Sequence, residues 1–369
     1  LTDPFCDKDH LFMVRALRLA EKGLFTTDPN PRVGCVIVNN DVIVGEGWHM
    51  RAGEAHAEIH ALNQAGSKAN AATAYVTLEP CSHHGKTPPC ADALIKAQVA
   101  RVVIAMQDPN PQVSGDGIRK LKEAGIEVCS GLLEQDAEAL NPGFCKRMRT
   151  GLPYVRSKLA MSLDGRTAMA SGESKWITGA DARRDVHHLR ARSSAMLTGI
   201  KTVLADDPLL TARLGGEVEV KQPWRVIVDS RLQMNPEVAM AKLEGKNLLL
   251  TLSNDSGRSK ELELAGFEVL NVANDKDHID LNQAFELLAS RGINEVMIEA
   301  GSVLNGALLK AGLVDEWIVY MAPCVMGSKA KGLFDLPGLE AMSDRFKMKL
   351  KETRMVGDDL RLTFQQIKR

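Results

Sequence analysis

Apolar positions in the first 150 residues switch repeatedly between a helical period and a strand period. Leu11, Val14, Leu17 and Leu19 are spaced for one helix face over residues 10–23, with Gly23 as the stop. Strand-like runs follow at 33–38 and 42–48, and Asn39-Asn40-Asp41 between them supplies hairpin turn chemistry. The pattern then predicts helix 55–65, strand 74–78, helix 89–98, strand 101–106, helix 117–124, strand 126–129 and helix 135–144. Such alternation implies an α/β/α layer sandwich. Gly34 and Gly53 read as backbone turn positions.

Residues 146–153 form a short basic segment closed by Gly151 and Pro153, read as a solvated connection. A domain boundary is expected there, giving domains 1–149 and 150–369. Beyond it the pattern predicts strands at 154–161, 195–197, 225–228, 248–252, 268–270 and 295–298. Helices are expected at 180–191, 259–264, 281–290 and 303–310. Two late strand regions, 316–322 and about 347–364, have no helix between them. The second domain is therefore expected to hold a mostly parallel, twisted sheet with an antiparallel edge.

A chain of 369 residues has two domains as its natural prior. Its 44% hydrophobic and 25% charged residues suit globular domains with real cores. A net charge of −1 argues against a broad nucleic-acid or membrane footprint. No run approaches a membrane span, and Asp3, Asp7, Lys8 and Asp9 interrupt any apolar opening. Seven scattered cysteines imply no disulfide scaffold, so a cytoplasmic location is expected.

The chemistry concentrates between residues 56 and 90. His56, Cys81 and Cys90 supply three soft or borderline ligands, enough for a catalytic Zn²⁺ with an open fourth position. Glu58, two residues after the histidine, is the acid/base that would move protons between water and a leaving amine. His-x-Glu followed by Pro-Cys and a second Cys marks zinc nucleobase deaminases. Their cysteines are separated by two residues, however, and eight intervene here. The predicted helices put His56 and Cys90 at N-termini, where the dipole favours negative charge. A structural zinc with a fourth ligand from His60, His83 or His84 is the alternative, but it leaves Glu58 without a role.

The stretch 80–90, Pro-Cys-Ser-His-His-Gly-Lys-Thr-Pro-Pro-Cys, resembles the deaminase half of the bifunctional riboflavin-biosynthesis deaminase/reductases. Asn30-Pro31-Arg32-Val33-Gly34, Gly47-Trp48-His49 and the run 158–165, Lys-Leu-Ala-Met-Ser-Leu-Asp-Gly, extend the resemblance from Met13 to about Phe364. It implies a cytidine-deaminase-like domain followed by a dihydrofolate-reductase-like α/β domain. It also implies Zn²⁺ and NADPH as cofactors, phosphoribosylaminopyrimidine substrates and a homo-oligomer. In the deaminase half the matching substrate contacts are Asn30, His49, His83 and Lys86. In the reductase half, cofactor contacts match Ala160, Trp176, Thr202, Asp206 and Ser230. They continue through the loop Gly301, Ser302, Val303, Leu304, Asn305, Gly306 and Ala307. Substrate contacts match Ser174, Arg190, Leu210, Arg213 and Glu299, and Lys158 matches a residue tied to reduction.

Read without the resemblance, several of these positions stay open. Lys86 suits a phosphate or is a solvated loop lysine, and His49 is a binding group or a partly buried strand histidine. The segment 299–307 follows a strand and opens a helix, so it cradles a pyrophosphate or simply caps. Arg190 and Arg213 could fork onto a sugar phosphate, although Arg190 also ends a helix. Trp176 is a stacking group or a packed indole, and Asp206-Asp207 a turn. Lys158 and Glu299, beside or within apolar strands, must find partners or serve chemistry. The rival functions are a nucleic-acid-editing deaminase and a nucleotide-binding regulator with structural zinc.

Overall fold

Alternation of helix and strand carries through the first half of the chain. In order come α1 (Asp7–Glu21), β1 (Gly34–Asn39), β2 (Val42–Trp48), α2 (Ala57–Ala65), β3 (Thr73–Leu78), α3 (Cys90–Lys96) and β4 (Arg101–Met106). The half closes with α4 (Asp116–Glu123), β5 (Glu127–Ser130), α5 (Glu134–Leu140) and α6 (Pro142–Thr150). The computed structural model describes residues 5–82, 88–111, 113–216, 218–275 and 278–367. It divides into two units, Leu1–Gly151 and Leu152–Arg369.

In the first unit the strand order is β2-β1-β3-β4-β5. Strand β1 runs antiparallel to β2 and β3, while β3, β4 and β5 are parallel. Helix α1 buries Phe12, Met13, Ala16, Leu17, Leu19 and Ala20, whereas Leu11 and Val14 are exposed. The buried face is thus turned from the expected one, because small Ala16 and Ala20 meet the sheet. A Cβ on Gly34 would lie 2.0 Å from Ala16 O, so Gly34 is a close-packing position and not a turn. Gly53, at φ +90°, does occupy a left-handed turn. Helix α2 is seated in the same way on β2: a Cβ on Gly45 would meet Ala61 O at 2.1 Å, and one on Gly47 would meet Ala57 O at 2.3 Å.

The helix expected over 135–144 is broken at Asn141. Its amide oxygen accepts the Arg32 N–H at 2.8 Å and its amide nitrogen donates to Arg32 O at 2.9 Å. Pro142 then starts a new helix, where a missing N–H costs nothing. That helix runs to Thr150 and absorbs the basic segment read as a solvated connection. The units part after Gly151, which sits at φ +71° as a left-handed C-cap.

The second unit begins with β6 (Tyr154–Ser162), β7 (Arg166–Ala168), α7 (Ala180–Ala191), β8 (Ala195–Gly199), α8 (Ile200–Asp206) and β9 (Trp224–Val228). Then follow β10 (Asn247–Thr251), α9 (Ser256–Leu264), β11 (Phe267–Asn271), β12 (Asn274–Asp275), β13 (His278–Ile279), α10 (Leu281–Ser290) and β14 (Glu295–Ile298). The last elements are α11 (Ser302–Ala311), β15 (Glu316–Ala322), β16 (Lys331–Gly332), β17 (Met348–Val356) and β18 (Asp359–Gln366). Nine strands make one sheet in the order β11-β10-β9-β8-β14-β6-β15-β18-β17. It is parallel from β11 to β15, and the β17–β18 hairpin adds the antiparallel edge.

Successive strand residues feed opposite cores, as a period of two requires. Leu248, Leu250, Val296 and Ile298 pack with α10 and α11 on one face, while Leu249 and Met297 pack with α7 and α9 on the other. Burial on both faces explains why these strands read as continuous apolar runs.

Replacing Gly47 with Ala forces α2 away from β2. This should lower the unfolding free energy of the first unit by about 1–3 kcal/mol or more. Chemical denaturation of the variant measures it, and parental stability would mean that the helix can retreat without cost.

Candidate active sites

The N-terminus of α2 and the start of α3 converge beyond the end of β3. His56 is the N-cap of α2, and Cys90 is the first residue of α3. His56 Nδ1 lies 3.6 Å from Cys81 Sγ and 3.3 Å from Cys90 Sγ, and the Cys90 N–H donates to Cys81 Sγ at 3.3 Å. The donor atoms of all three lie within 4.8 Å of one another. Contacts with Cys90 and His56 hold the Cys81 thiol well below the usual range, whereas its neighbour Cys81, together with burial, pushes Cys90 up. Two thiols beside an imidazole nitrogen are a donor set that fits zinc, which would take both as thiolates. Among the described residues no fourth protein ligand joins this cluster.

Glu58 sits in the first turn of α2 with its side chain buried, and its Oε2 has no hydrogen-bond partner among the described residues. Burial pushes its carboxyl up to about 7, with His56 pulling the other way. His49 is 2% exposed. Its Nδ1 faces Ala55 O at 3.1 Å and its Nε2 faces the Asn30 amide nitrogen at 3.0 Å. These partners assign a neutral ring that donates from Nδ1 and accepts at Nε2, and burial lowers its pKa in the same sense. The ring also packs edge-on to His56 at 5.3 Å. The fold therefore brings Asn30, His49, His56, Glu58, Cys81 and Cys90 together. The expected contacts at His83 and Lys86 lie outside the described residues.

The second unit has a cavity of about 890 Å³ at the carboxyl ends of β8, β9 and β14, with β6 along one wall. This is the end of an open α/β sheet where ligands bind. Lys158, Ala160, Ser174, Trp176, Arg190, Thr202, Asp206, Arg213, Ser230 and Glu299 all line it, as do Gly301, Ser302, Val303, Leu304 and Ala307. A Cβ on Gly301 would meet no protein atom within 4 Å, so the space over this backbone is open. Together with the N-terminus of α11, that space suits the close approach of a dinucleotide pyrophosphate.

Three of the residues expected as contacts do not line the cavity. Asn305 is fully buried behind the loop: Ser157 Oγ donates to its Oδ1 at 2.7 Å, and its Nδ2 donates to Ala300 O at 2.8 Å. Gly306 packs against the chain, since a Cβ there would meet Asp335 O at 2.1 Å. Leu210 is 3% exposed and belongs to the core beside α7. The Asn305 and Leu210 side chains and the bare backbone of Gly306 pack into the scaffold.

Arg190 does not present a free fork. Its Nε and Nη2 donate to Glu299 at 2.6 and 2.8 Å, and Nη1 donates to Thr211 O at 3.1 Å. Although burial opposes it, this pairing holds Glu299 below the usual carboxylate range. Burial also lowers the Lys158 ammonium, with Glu299 acting in the opposite sense and Arg190 adding to the fall. Trp176 is 73% exposed and carries the Arg183 guanidinium 4.7 Å above its ring, so it is not a packed indole. Asp206 ends α8 and pairs with Lys175 at 3.3 Å.

Arg183 and His187 also line the cavity and were not singled out in the sequence. They stand at positions i and i+4 of α7, with Arg190 three residues on, a spacing that puts all three on one helical face. His187 Nδ1 accepts the Arg213 N–H at 3.2 Å, and burial followed by the charges of Arg190 and Arg213 lowers its pKa to about 4.

The model of the RibD C-terminal domain matches residues 153–362, more than half of the chain. The chain belongs to the RibD family. The cytidine and deoxycytidylate deaminase zinc-binding region matches residues 6–106. Riboflavin biosynthesis protein RibD of Escherichia coli K12 is 54% identical over 96% of this chain and 98% of its own length. That of Bacillus amyloliquefaciens is 45% identical over 96% and 95%. Among solved structures, Acinetobacter baumannii RibD superposes with a TM-score of 0.92 at 46% identity, covering 98% of this chain and 99% of that one. The diaminohydroxyphosphoribosylaminopyrimidine deaminase/5-amino-6-(5-phosphoribosylamino)uracil reductase of Thermotoga maritima gives 0.85 at 34% identity, covering 98% and 99%. As a RibD protein the chain is a bifunctional deaminase and reductase of riboflavin biosynthesis, served by zinc and a nicotinamide cofactor.

Gly301→Ala adds a methyl group that touches only the cavity. Nicotinamide-cofactor affinity should fall about tenfold or more, roughly 1.4 kcal/mol, while stability is retained. Calorimetric titration of the folded variant decides this, and undiminished affinity would move the pyrophosphate away from the loop.

Proposed function

We propose that the unit ending at Gly151 deaminates 2,5-diamino-6-(5-phosphoribosylamino)pyrimidin-4-one and that the unit from Leu152 reduces the ribosyl group of the resulting aminouracil to ribityl. Two separate constellations in one chain carry this reading: three metal donors beside a buried carboxylate, and a basic cavity over an open glycine backbone. Both reactions named for the Thermotoga maritima relative are accounted for by these two sites. NADPH is the reductant, the cellular location is the cytoplasm, and the enzyme works as a homo-oligomer. Among the described residues no helix is long and apolar enough to cross a membrane.

In the deaminase site His56, Cys81 and Cys90 hold zinc, which when bound makes a water acidic enough to lose its proton near neutral pH. Glu58 takes that proton at Oε2 and returns it to the departing amine, so that ammonia leaves. Asn30, oriented by His49, binds the pyrimidine. His83 and Lys86 complete the substrate contacts, Lys86 as a cation for the phosphate.

In the reductase site NADPH, when bound, supplies a hydride for the sugar C1. Opening of the sugar ring requires a proton at the ring oxygen, and Lys158 Nζ gives it. Glu299 keeps Lys158 charged in a wall that would otherwise neutralise it, and Arg190 orients Glu299. Arg213 takes the substrate phosphate, while Ser174 holds the sugar. Ala160, Trp176, Thr202, Asp206, Ser230 and the loop from Gly301 hold the dinucleotide.

Ammonia release from the diaminopyrimidine should occur without NADPH and stop when a chelator removes zinc. Oxidation of NADPH by added aminouracil ribotide should persist in the same chelator. Release that survives full zinc removal would end the reading. Glu58→Gln should retain zinc and lose deamination by about 10²–10⁴-fold, with reduction intact. Near-parental deamination in that variant would remove Glu58 from the proton path.

A further inference from the structure

The residue before Pro80-Cys81 has no part in the chemistry described so far. Glu79 is only 5% exposed, and its carboxylate accepts four backbone N–H groups. Oε1 accepts from Gly117 at 2.9 Å and Ile118 at 3.2 Å, while Oε2 accepts from Asp108 at 3.1 Å and Gly115 at 3.0 Å. Gly117 and Ile118 are the second and third residues of α4, whose N-cap is Gly115 and has no side chain to offer. An N-cap side chain ordinarily accepts those two N–H groups. Here a carboxylate from the residue that follows β3, 38 positions before Gly117 in the chain, does so instead.

The contact is tight on the metal side as well. A Cβ on Gly117 would lie 2.0 Å from Pro80 O, so α4 rests directly on the peptide that leads into Cys81. From the other side α3 grips Cys81 itself: Ala91 N–H donates to Cys81 O at 3.1 Å and Cys90 N–H to its sulfur at 3.3 Å. Lys120 of α4 and Asp92 of α3 join at 2.5 Å. Cys81 is thereby held between two helices, one placed by its own first turn and the other by Glu79.

We propose that Glu79 is a positioning residue of the deaminase: by capping α4 from the end of β3 it fixes Cys81 Sγ against His56 and Cys90. The inference rests on the zinc reading of that triad. A carboxylate offers two acceptor oxygens. The amide of Gln offers one, and its NH₂ group would face N–H donors that it cannot satisfy. Glu79→Gln should therefore loosen one metal ligand without removing any.

The full-length enzyme is loaded with zinc or cobalt(II), and only variants with the parental far-UV circular dichroism are compared. Glu79→Gln should release zinc to a chelator at least ten times faster than the parent. Its cobalt form should show a weakened or shifted thiolate-to-cobalt absorption band, which a mere loss of stability would leave unchanged in folded protein. Gly117→Ala disturbs the same junction from the helix side and should produce both changes. Should Glu79→Gln not fold, Gly117→Ala decides alone. A folded variant with the parental release rate and cobalt spectrum would overturn the proposal. A parent without the thiolate band would overturn the zinc site and the proposal with it.

Discussion

The deaminase half depends on how closely α2 lies on β2. Gly45 and Gly47 let the helix backbone approach a distance that any side chain would forbid, against Ala61 and Ala57. Because Ala57 is the first residue of that helix, the approach sets the height of His56 and Glu58 above the sheet. The same rule operates at Gly34 under α1. Small residues on both partners bury little apolar area, so the layer gains dispersion contact and precise placement more than hydrophobic free energy. Placement matters more here, since the donor atoms of His56, Cys81 and Cys90, from different elements, must all lie within 4.8 Å of one another to hold a metal.

The two sites handle buried charge in different ways. In the first, Glu58 is buried with one oxygen unpartnered among the described residues, which leaves that oxygen available for the proposed proton transfer. In the second, Glu299 is satisfied in advance by a bidentate Arg190. As the proposed proton carrier, Glu58 must be able to change charge, whereas Glu299, in its proposed support of Lys158, must not. Unpaired and paired burial produce those opposite behaviours from the same side-chain chemistry.

Strand and helix positions were largely legible because the parallel strands are buried on both faces and read as apolar runs, as at 248–252 and 295–298. The face of α1 was misjudged because Ala16 and Ala20, not the larger Leu11 and Val14, meet the sheet. Asn141 was invisible as a helix breaker, since its role is to pair with the backbone of Arg32, 109 positions away. The meeting of His56, Cys81 and Cys90 was legible because His, Cys and Cys have few alternative uses in that combination. The pairing of Arg190 with Glu299 was not legible, because Glu299 follows a strand 109 positions away in the chain. Glu79 gave no signal at all, for an acceptor of four backbone groups looks in sequence like any other acidic residue. The resemblance to the riboflavin enzymes supplied most of the reductase residues, and the cavity gathers all but Leu210, Asn305 and Gly306.

Asn305 gives the loop proposed to hold the dinucleotide a particular thermodynamic character. From behind, its amide ties the carbonyls of Ala300 and Gly301, and Ser157 ties the amide in turn. The loop is thereby ordered before any ligand arrives, and its ordering entropy is charged to folding and not to association. Affinity at such a surface reflects contact alone, with little lost to rearrangement. In the proposed reading, the dinucleotide therefore meets a backbone whose shape the fold has already fixed.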